Sequence, residues 1–126
     1  MVQFNIFNKG DVMSAELNII KQEKTFEKSV VAILAIGCSK EDVTVKSDFK
    51  EDVVNRLYVK ISKPKRFNEE SFGYKTLTDI IEFDSEGTIF FDYQYDVKEA
   101  IVNVYNGLLF VEVPMNKERI KDVKVN

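Results

Sequence analysis

The feature that most limits what this chain can fold into is the segment Ala100 to Pro114, AIVNVYNGLLFVEVP. Two apolar, alternating runs flank the dipeptide Asn106-Gly107. That dipeptide predicts a two-residue hairpin, because both turn residues need positive φ and these two residue types tolerate it. In that register Tyr105 faces Leu108, Val104 faces Leu109, Val102 faces Val111 and Ala100 faces Val113. One face then carries Ala100, Val102, Val104, Leu109, Val111 and Val113 and belongs to a core. The other carries Ile101, Asn103, Tyr105, Leu108, Phe110 and Glu112, and is too apolar for an ordinary solvent face. Pro114 has no N–H to give and ends the second strand.

Composition narrows the function classes. At 126 residues the chain reads as one domain, large enough to bury a core without staples. Histidine is absent, which excludes imidazole acid–base chemistry, Ser-His-Asp or Cys-His catalysis and His-ligated metal. The single cysteine, Cys38, leaves no internal disulfide, fits a reducing compartment and is read as an inert small residue. The five glycines form neither a GxGxxG nor a Walker loop. The expectation is no enzyme, no cofactor and no metal. A net charge of −3 speaks against a nucleic-acid partner. The opening residues lack the pattern of a signal peptide, and no apolar run approaches the ~20 residues that cross a bilayer. The expected setting is cytoplasmic, with no membrane partner.

Along the chain, short strands and turns alternate. Phe4, Ile6 and Phe7 make residues 1–18 an apolar N-terminal arm, either packed on its own domain or exposed as a sticky segment. Asp11 to Asn18 is compatible with a short helix capped by Asp11. Leu17 to Lys21 reads as a strand and Glu23 to Lys28 as a polar turn. Ser29 to Ile36 is a continuous β-branched run, expected to be a strand buried on both faces. Ser39 to Asp42 is a polar link with room for one helical turn, and Val43 to Lys46 alternates again. Asp48 to Asn55 reads as a charged loop and Arg56 to Ser62 as a strand with Leu57, Val59 and Ile61 on one face. Lys63-Pro64-Lys65-Arg66 opens a solvated loop that continues through Phe67 to Lys75. Thr76 to Phe83 is a strand or a helical turn, Asp84 to Gly87 a turn, and Thr88 to Tyr93 a strand. A polar tail, Met115 to Asn126, contains Val123-Lys124-Val125. About seven strands with no long helix point to an all-β, immunoglobulin-like antiparallel β-sandwich.

The order of these segments resembles the small heat-shock proteins, the α-crystallin/Hsp20 family. VNVYNGLLFVEVP, Val102 to Pro114, resembles the family's Ala-x-x-x-Asn-Gly-Val-Leu hairpin running into a strand that ends in Pro. VVAILAIGCSKEDVTVK, Val30 to Lys46, is similar to its strand, Gly, Lys-Glu-Asp turn and Val-x-Val strand. LYVKISKPKR matches the strand that enters its long dimerisation loop, and Val123-Lys124-Val125 resembles its C-terminal Ile-x-Ile/Val anchor. The resemblance spans residues 19 to 126. The chain departs from the pattern at Val102, where the signature has Ala, at Leu108, where it has Val, and at Gly87, which takes the position of an Arg. Phe91-Asp92 stands where the family carries Leu-Pro, and the arm is short.

The resemblance implies residues 1–18 as arm, 19–114 as an α-crystallin-like domain and 115–126 as tail. It implies an ATP-independent holdase that binds partly unfolded client proteins and assembles with itself into a dimer or larger homo-oligomer. Val123 and Val125 are the implied oligomer anchor, and Val43, Val45, Val102 and Val104 the groove that receives it. Phe4, Ile6 and Phe7 are candidates for client binding. The alternatives are a non-enzymatic adaptor with a p23/CS-type sandwich, or an assembly protein that borrowed the fold.

Overall fold

A computed structural model describes residues 4–6, 13–64 and 82–120, with side chains from Glu16 onward. Its nine strands are β1 (Phe4–Ile6), β2 (Met13–Glu16), β3 (Ile19–Lys24), β4 (Lys28–Leu34), β5 (Val43–Lys50), β6 (Val54–Lys63), β7 (Phe83–Phe90), β8 (Ile101–Tyr105) and β9 (Leu108–Pro114). They form two sheets, β1-β2-β7-β6-β5 and β3-β4-β9-β8. All pairings are antiparallel except β2 with β7, which run parallel through Ala15–Ser85 and Glu16–Glu86. Single 3₁₀ turns at Lys40–Asp42, Val97–Glu99 and Lys117–Arg119 are the helical segments among the described residues.

The core lies between the sheets and follows from alternation. Leu57, Val59 and Ile61 of β6 point inward and are buried, as are Val31 and Ile33 of β4 and Leu109, Val111 and Val113 of β9. Register aligns these rows: Val31 pairs with Val111 and Ile33 with Leu109 in one sheet, Leu57 with Ile89 in the other. Period-two placement puts one apolar row per strand on the shared face, and each such side chain contributes roughly 1.5–3 kcal/mol by leaving water. Phe91, Tyr95 and Val97 close one end. The Tyr95 hydroxyl donates to the Thr25 carbonyl at 2.6 Å, so its polar tip is satisfied while its ring fills the core.

Several sequence expectations are corrected. Met13–Glu16 is strand β2, not part of a capped helix over Asp11 to Asn18; a helix that short has little stability of its own, and pairing with β1 and β7 prevails. Asp11 and Phe7 lie outside the described residues. The β4 strand buries one face only, leaving Val30, Ala32 and Leu34 half-exposed, since among the described residues no layer packs on the outside of its sheet. Asp48 to Asn55 is not a loop: β5 runs to Lys50 and β6 starts at Val54, with a tight turn at 51–53 in which Asp52 takes φ 59°. The charged residues there sit on the outer face, where Arg56 Nη2 meets Asp48 Oδ2 at 2.8 Å. Asp84 to Gly87 forms the middle of β7 rather than a turn, held by eight paired positions along β6. That strand stops at Phe90, before Tyr93. Lys63, expected in a solvated loop, is the last residue of β6 and is buried, because its inward parity matches that of Leu57, Val59 and Ile61. Lys65 to Ile81, including the loop from Phe67 and most of Thr76 to Phe83, lies outside the described residues.

Candidate functional site

The hairpin forms as the sequence predicts. Asn106 (φ 50°) and Gly107 (φ 78°) both take the left-handed region, which is what a two-residue turn matched to strand twist requires. Its register pairs Tyr105 with Leu108, Val104 with Leu109 and Val102 with Val111. The ladder ends at Ile101–Glu112, so Ala100 is not paired with Val113; Ala100 instead follows the Val97–Glu99 turn and packs on the core. The turn is tied to the neighbouring strand, since Ala35 N donates to Gly107 O at 2.8 Å.

Two candidate surfaces result. The first lies between two strand edges. β5 ends one sheet and β8 ends the other, and the Val97–Glu99 turn, which leads into β8, packs on β5, so both edges lie on the same side of the sandwich. Val43 and Val45 pair with the buried Ile61 and Val59, and Val102 and Val104 with the buried Val111 and Leu109. All four valines point inward, pack against the core and remain half-buried. The resemblance assigns these four valines to one groove; the structure sets two of them on β5 and two on β8, each packed against the core at a sheet edge that carries no further strand among the described residues.

The second surface is the outer face of the β3-β4-β9-β8 sheet. Tyr105 (67% exposed) and Ile101 (53% exposed) stand free on β8. Beside them lie the half-buried Leu108 and Phe110 of β9 and Val30, Ala32 and Leu34 of β4. Ordinary outer faces alternate to polar; here Asn103 and Glu112 are outnumbered by apolar side chains. Phe4 and Ile6 belong to β1, which lies at the far edge of the other sheet. Phe7, Val123 and Val125 lie outside the described residues.

Sequence reasoning missed the clasp beside the groove. Arg119 reaches back from the end of the described chain. Its guanidinium carbon sits 3.8 Å from the centre of the Phe49 ring on β5. Nη1 donates to the carbonyls of Tyr95 at 2.8 Å and Tyr93 at 3.2 Å, and Nη2 meets Asp96 Oδ1 at 3.4 Å. Asp96 also accepts from Lys98 N and from Asn116 Nδ2. Asn55 braces the same corner, donating through Nδ2 to the carbonyls of Phe91, Asp92 and Tyr95. No local periodicity announces a guanidinium that finds a ring seventy residues earlier; the Asn116-x-Glu118 turn is the one nearby signal. Among the described residues no group of acidic or cysteine side chains is placed to hold a metal ion.

No family model matches the chain, and no curated sequence matches it significantly. Solved structures do. Heat shock protein 16.0 of Schizosaccharomyces pombe superposes with a TM-score of 0.58 at 22% identity, over 97% of this chain and 81% of that one. A mutant of hsp14.1 from Sulfolobus gives 0.57 at 15% identity, over 88% and 77%. A small heat-shock protein of Xylella fastidiosa gives 0.54 at 14% identity, over 87% and 95%. Two facing sheets, an Asn-Gly hairpin at the edge of one and agreement with three such structures lead to one conclusion: this chain has the α-crystallin-type β-sandwich fold of the small heat-shock proteins.

Proposed function

We propose that this protein is an ATP-independent holdase, a cytoplasmic chaperone that binds partly unfolded proteins and keeps them from aggregating. The observation that carries this is the unpaired apolar surface on a small-heat-shock fold: Ile101 and Tyr105 exposed beside Leu108 and Phe110, with a half-open valine groove at the adjacent edge. Such surface invites aggregation in a solitary domain and serves a protein whose ligand is the exposed apolar part of another chain. The task needs no catalytic group and no cofactor. Phe4, Ile6 and Phe7 of the arm add apolar residues for the same use.

Self-assembly accompanies this role. Val123 and Val125 are two apolar knobs separated by the polar Lys124, so an extended tail places both on one side and the lysine in water. Seated on Val43, Val45, Val102 and Val104 of a neighbouring copy, they contribute about 2–4 kcal/mol before ordering costs, a strength that suits reversible contacts. The direct test is suppression of aggregation of a heat-labile client. Suppression at equimolar subunits is expected, and its absence would reject the holdase. Native mass with and without the last six residues tests assembly: a mass unchanged by the truncation would reject the tail as anchor.

A further inference from the structure

We infer that the end of the sandwich where β6 stops and β7 starts is a latent client surface, opened by the burial of the Lys63 ammonium without a partner. This rests on the holdase reading above and adds a second surface together with what releases it.

Lys63, the last residue of β6, is 2% exposed, and Ser85 of β7 is 3% exposed. Among the described residues neither Lys63 Nζ nor Ser85 Oγ has a hydrogen-bond partner. Lys63 pairs with Phe83 and Ile61 with Ser85, so both polar side chains stand on the inner face of neighbouring strands, diagonal to one another. A donor buried without an acceptor forfeits its hydration, and for an ammonium that loss is large. In an open state both groups recover water. The closed fold therefore carries an internal bias toward opening at this one place.

The backbone there does little to resist. The β5 ladder reaches β6 no further than Val43–Ile61, and β2 pairs with β7 at Ser85 and Glu86. The rungs Ser62–Asp84 and Lys63–Phe83 thus have each other and no third strand in register among the described residues. Local openings start where ladders are thin and few contacts hold them. Opening bares Phe83, which packs against the core, and the fully buried Ile61 beside it. Both are apolar side chains of the kind an unfolded chain seeks, and the resting fold keeps them covered.

The test is hydrogen exchange on the full chain, joined to a client assay. In the parent, the ladder amides of residues 62–63 and 83–84 should exchange far faster than those of Leu57 and Ile89. Lys63→Met keeps a long unbranched side chain without the charge; it should slow that exchange by about tenfold or more and raise the melting temperature. Ser85→Ala should act in the same direction, by less. Lys60→Met, at an exposed position of the same strand, removes the same charge and should change neither. Suppression of aggregation of reduced insulin B chain, with each protein folded by circular dichroism, should fall in Lys63→Met and hold at the parent level in Lys60→Met. A Lys63→Met chain that melts lower or does not fold overturns the inference, because its ammonium then has a partner to lose. Unchanged exchange in Lys63→Met and Ser85→Ala overturns it equally. Slower exchange with undiminished suppression overturns the client surface and leaves the holdase reading standing. Absence of suppression by the parent rejects the holdase and the client surface together, while exchange alone still shows whether this end opens.

Discussion

Leu17, in the two-residue link between β2 and β3, lies directly over Gly87 in the middle of β7: a Cβ on Gly87 would sit 3.0 Å from Leu17 Cγ and 3.1 Å from Leu17 Cδ1. Gly87 faces inward, opposite the buried Val59 and between the buried Ser85 and Ile89. Its backbone is not in the left-handed region, so space, not φ, is what calls for glycine here. The position that carries Arg in the resemblance pattern is thus emptied, and a leucine from the N-terminal side packs in its place. The same contact pins the end of β2, whose parallel pairing to β7 covers only two residue pairs.

Leu17 and Gly87 should therefore be coupled. Leu17→Ala removes a half-buried side chain from the core margin and is expected to cost about 1–3 kcal/mol. Gly87→Ala overfills the slot and should cost about 1 kcal/mol or more. The double variant should be more stable than the sum of the two losses implies, because the smaller residue 17 accepts the new methyl. Urea unfolding of the four proteins measures this; additive losses would show that the two do not compete for one space.

Arg119 should matter far more than a tail residue ordinarily does. Its side chain is almost fully enclosed, stacked on Phe49 and bonded to two carbonyls and Asp96. Truncation in Arg119→Ala removes the stack on Phe49, takes this donor from the Tyr93 carbonyl and leaves the Tyr95 carbonyl and Asp96 to Asn55, Lys98 and Asn116 alone, with an expected loss of about 2–4 kcal/mol. Arg119→Lys should recover little, since an ammonium cannot reproduce the planar stack and fork. Thermal unfolding decides it: a variant within ~0.5 kcal/mol of the parent would mean the clasp is ornamental.

Tyr58 offers a pH dependence. Its hydroxyl donates to the Glu86 carboxylate, and that hydrogen bond, followed by desolvation and the negative charges of Glu86 and Asp84, pushes the phenol above its ordinary value. A folded-state pKa above the unfolded one means the stabilisation is whole below about pH 10 and is lost as pH rises through the folded value. Tyr58→Phe lacks the bond and the slope. The stability gap between parent and variant should be constant from neutral pH to ~10 and narrow above it. A gap that widens on the alkaline side would contradict the assigned donor.

What the sequence disclosed and what it hid have physical reasons. The hairpin was legible because Asn106-Gly107 and its flanks act locally: turn chemistry sets register, and register sets faces. Leu57, Val59 and Ile61 were legible because period-two burial is written in adjacent residues. Val43, Val45, Val102 and Val104 were assigned to one groove only through resemblance, since β5 and β8 belong to different sheets and no local pattern relates their edges. Gly87 misled: a glycine after Asp84-Ser85-Glu86 reads as a turn, yet it serves Leu17 seventy residues away. Arg119 was silent for the same reason, because its partners are Phe49 and the 93–96 segment rather than its neighbours in sequence.

The outer hairpin face separates stability from function. Ile101 and Tyr105 are more than half exposed on β8, so Ile101→Ser and Tyr105→Ser remove little buried area and should each shift stability by no more than ~0.5 kcal/mol. Val104, one residue from Tyr105 and turned inward onto the core, is the contrast: Val104→Ser should destabilise clearly, because it sets a hydroxyl against the sandwich interior. If the outer face receives unfolded clients, the Ile101/Tyr105 double variant should keep its fold by circular dichroism and lose most of its suppression of client aggregation. The same variant should also bind less of a hydrophobic reporter dye. Full suppression by a well-folded double variant would move client binding away from this sheet and leave the N-terminal Phe4, Ile6 and Phe7 as the residues to change next.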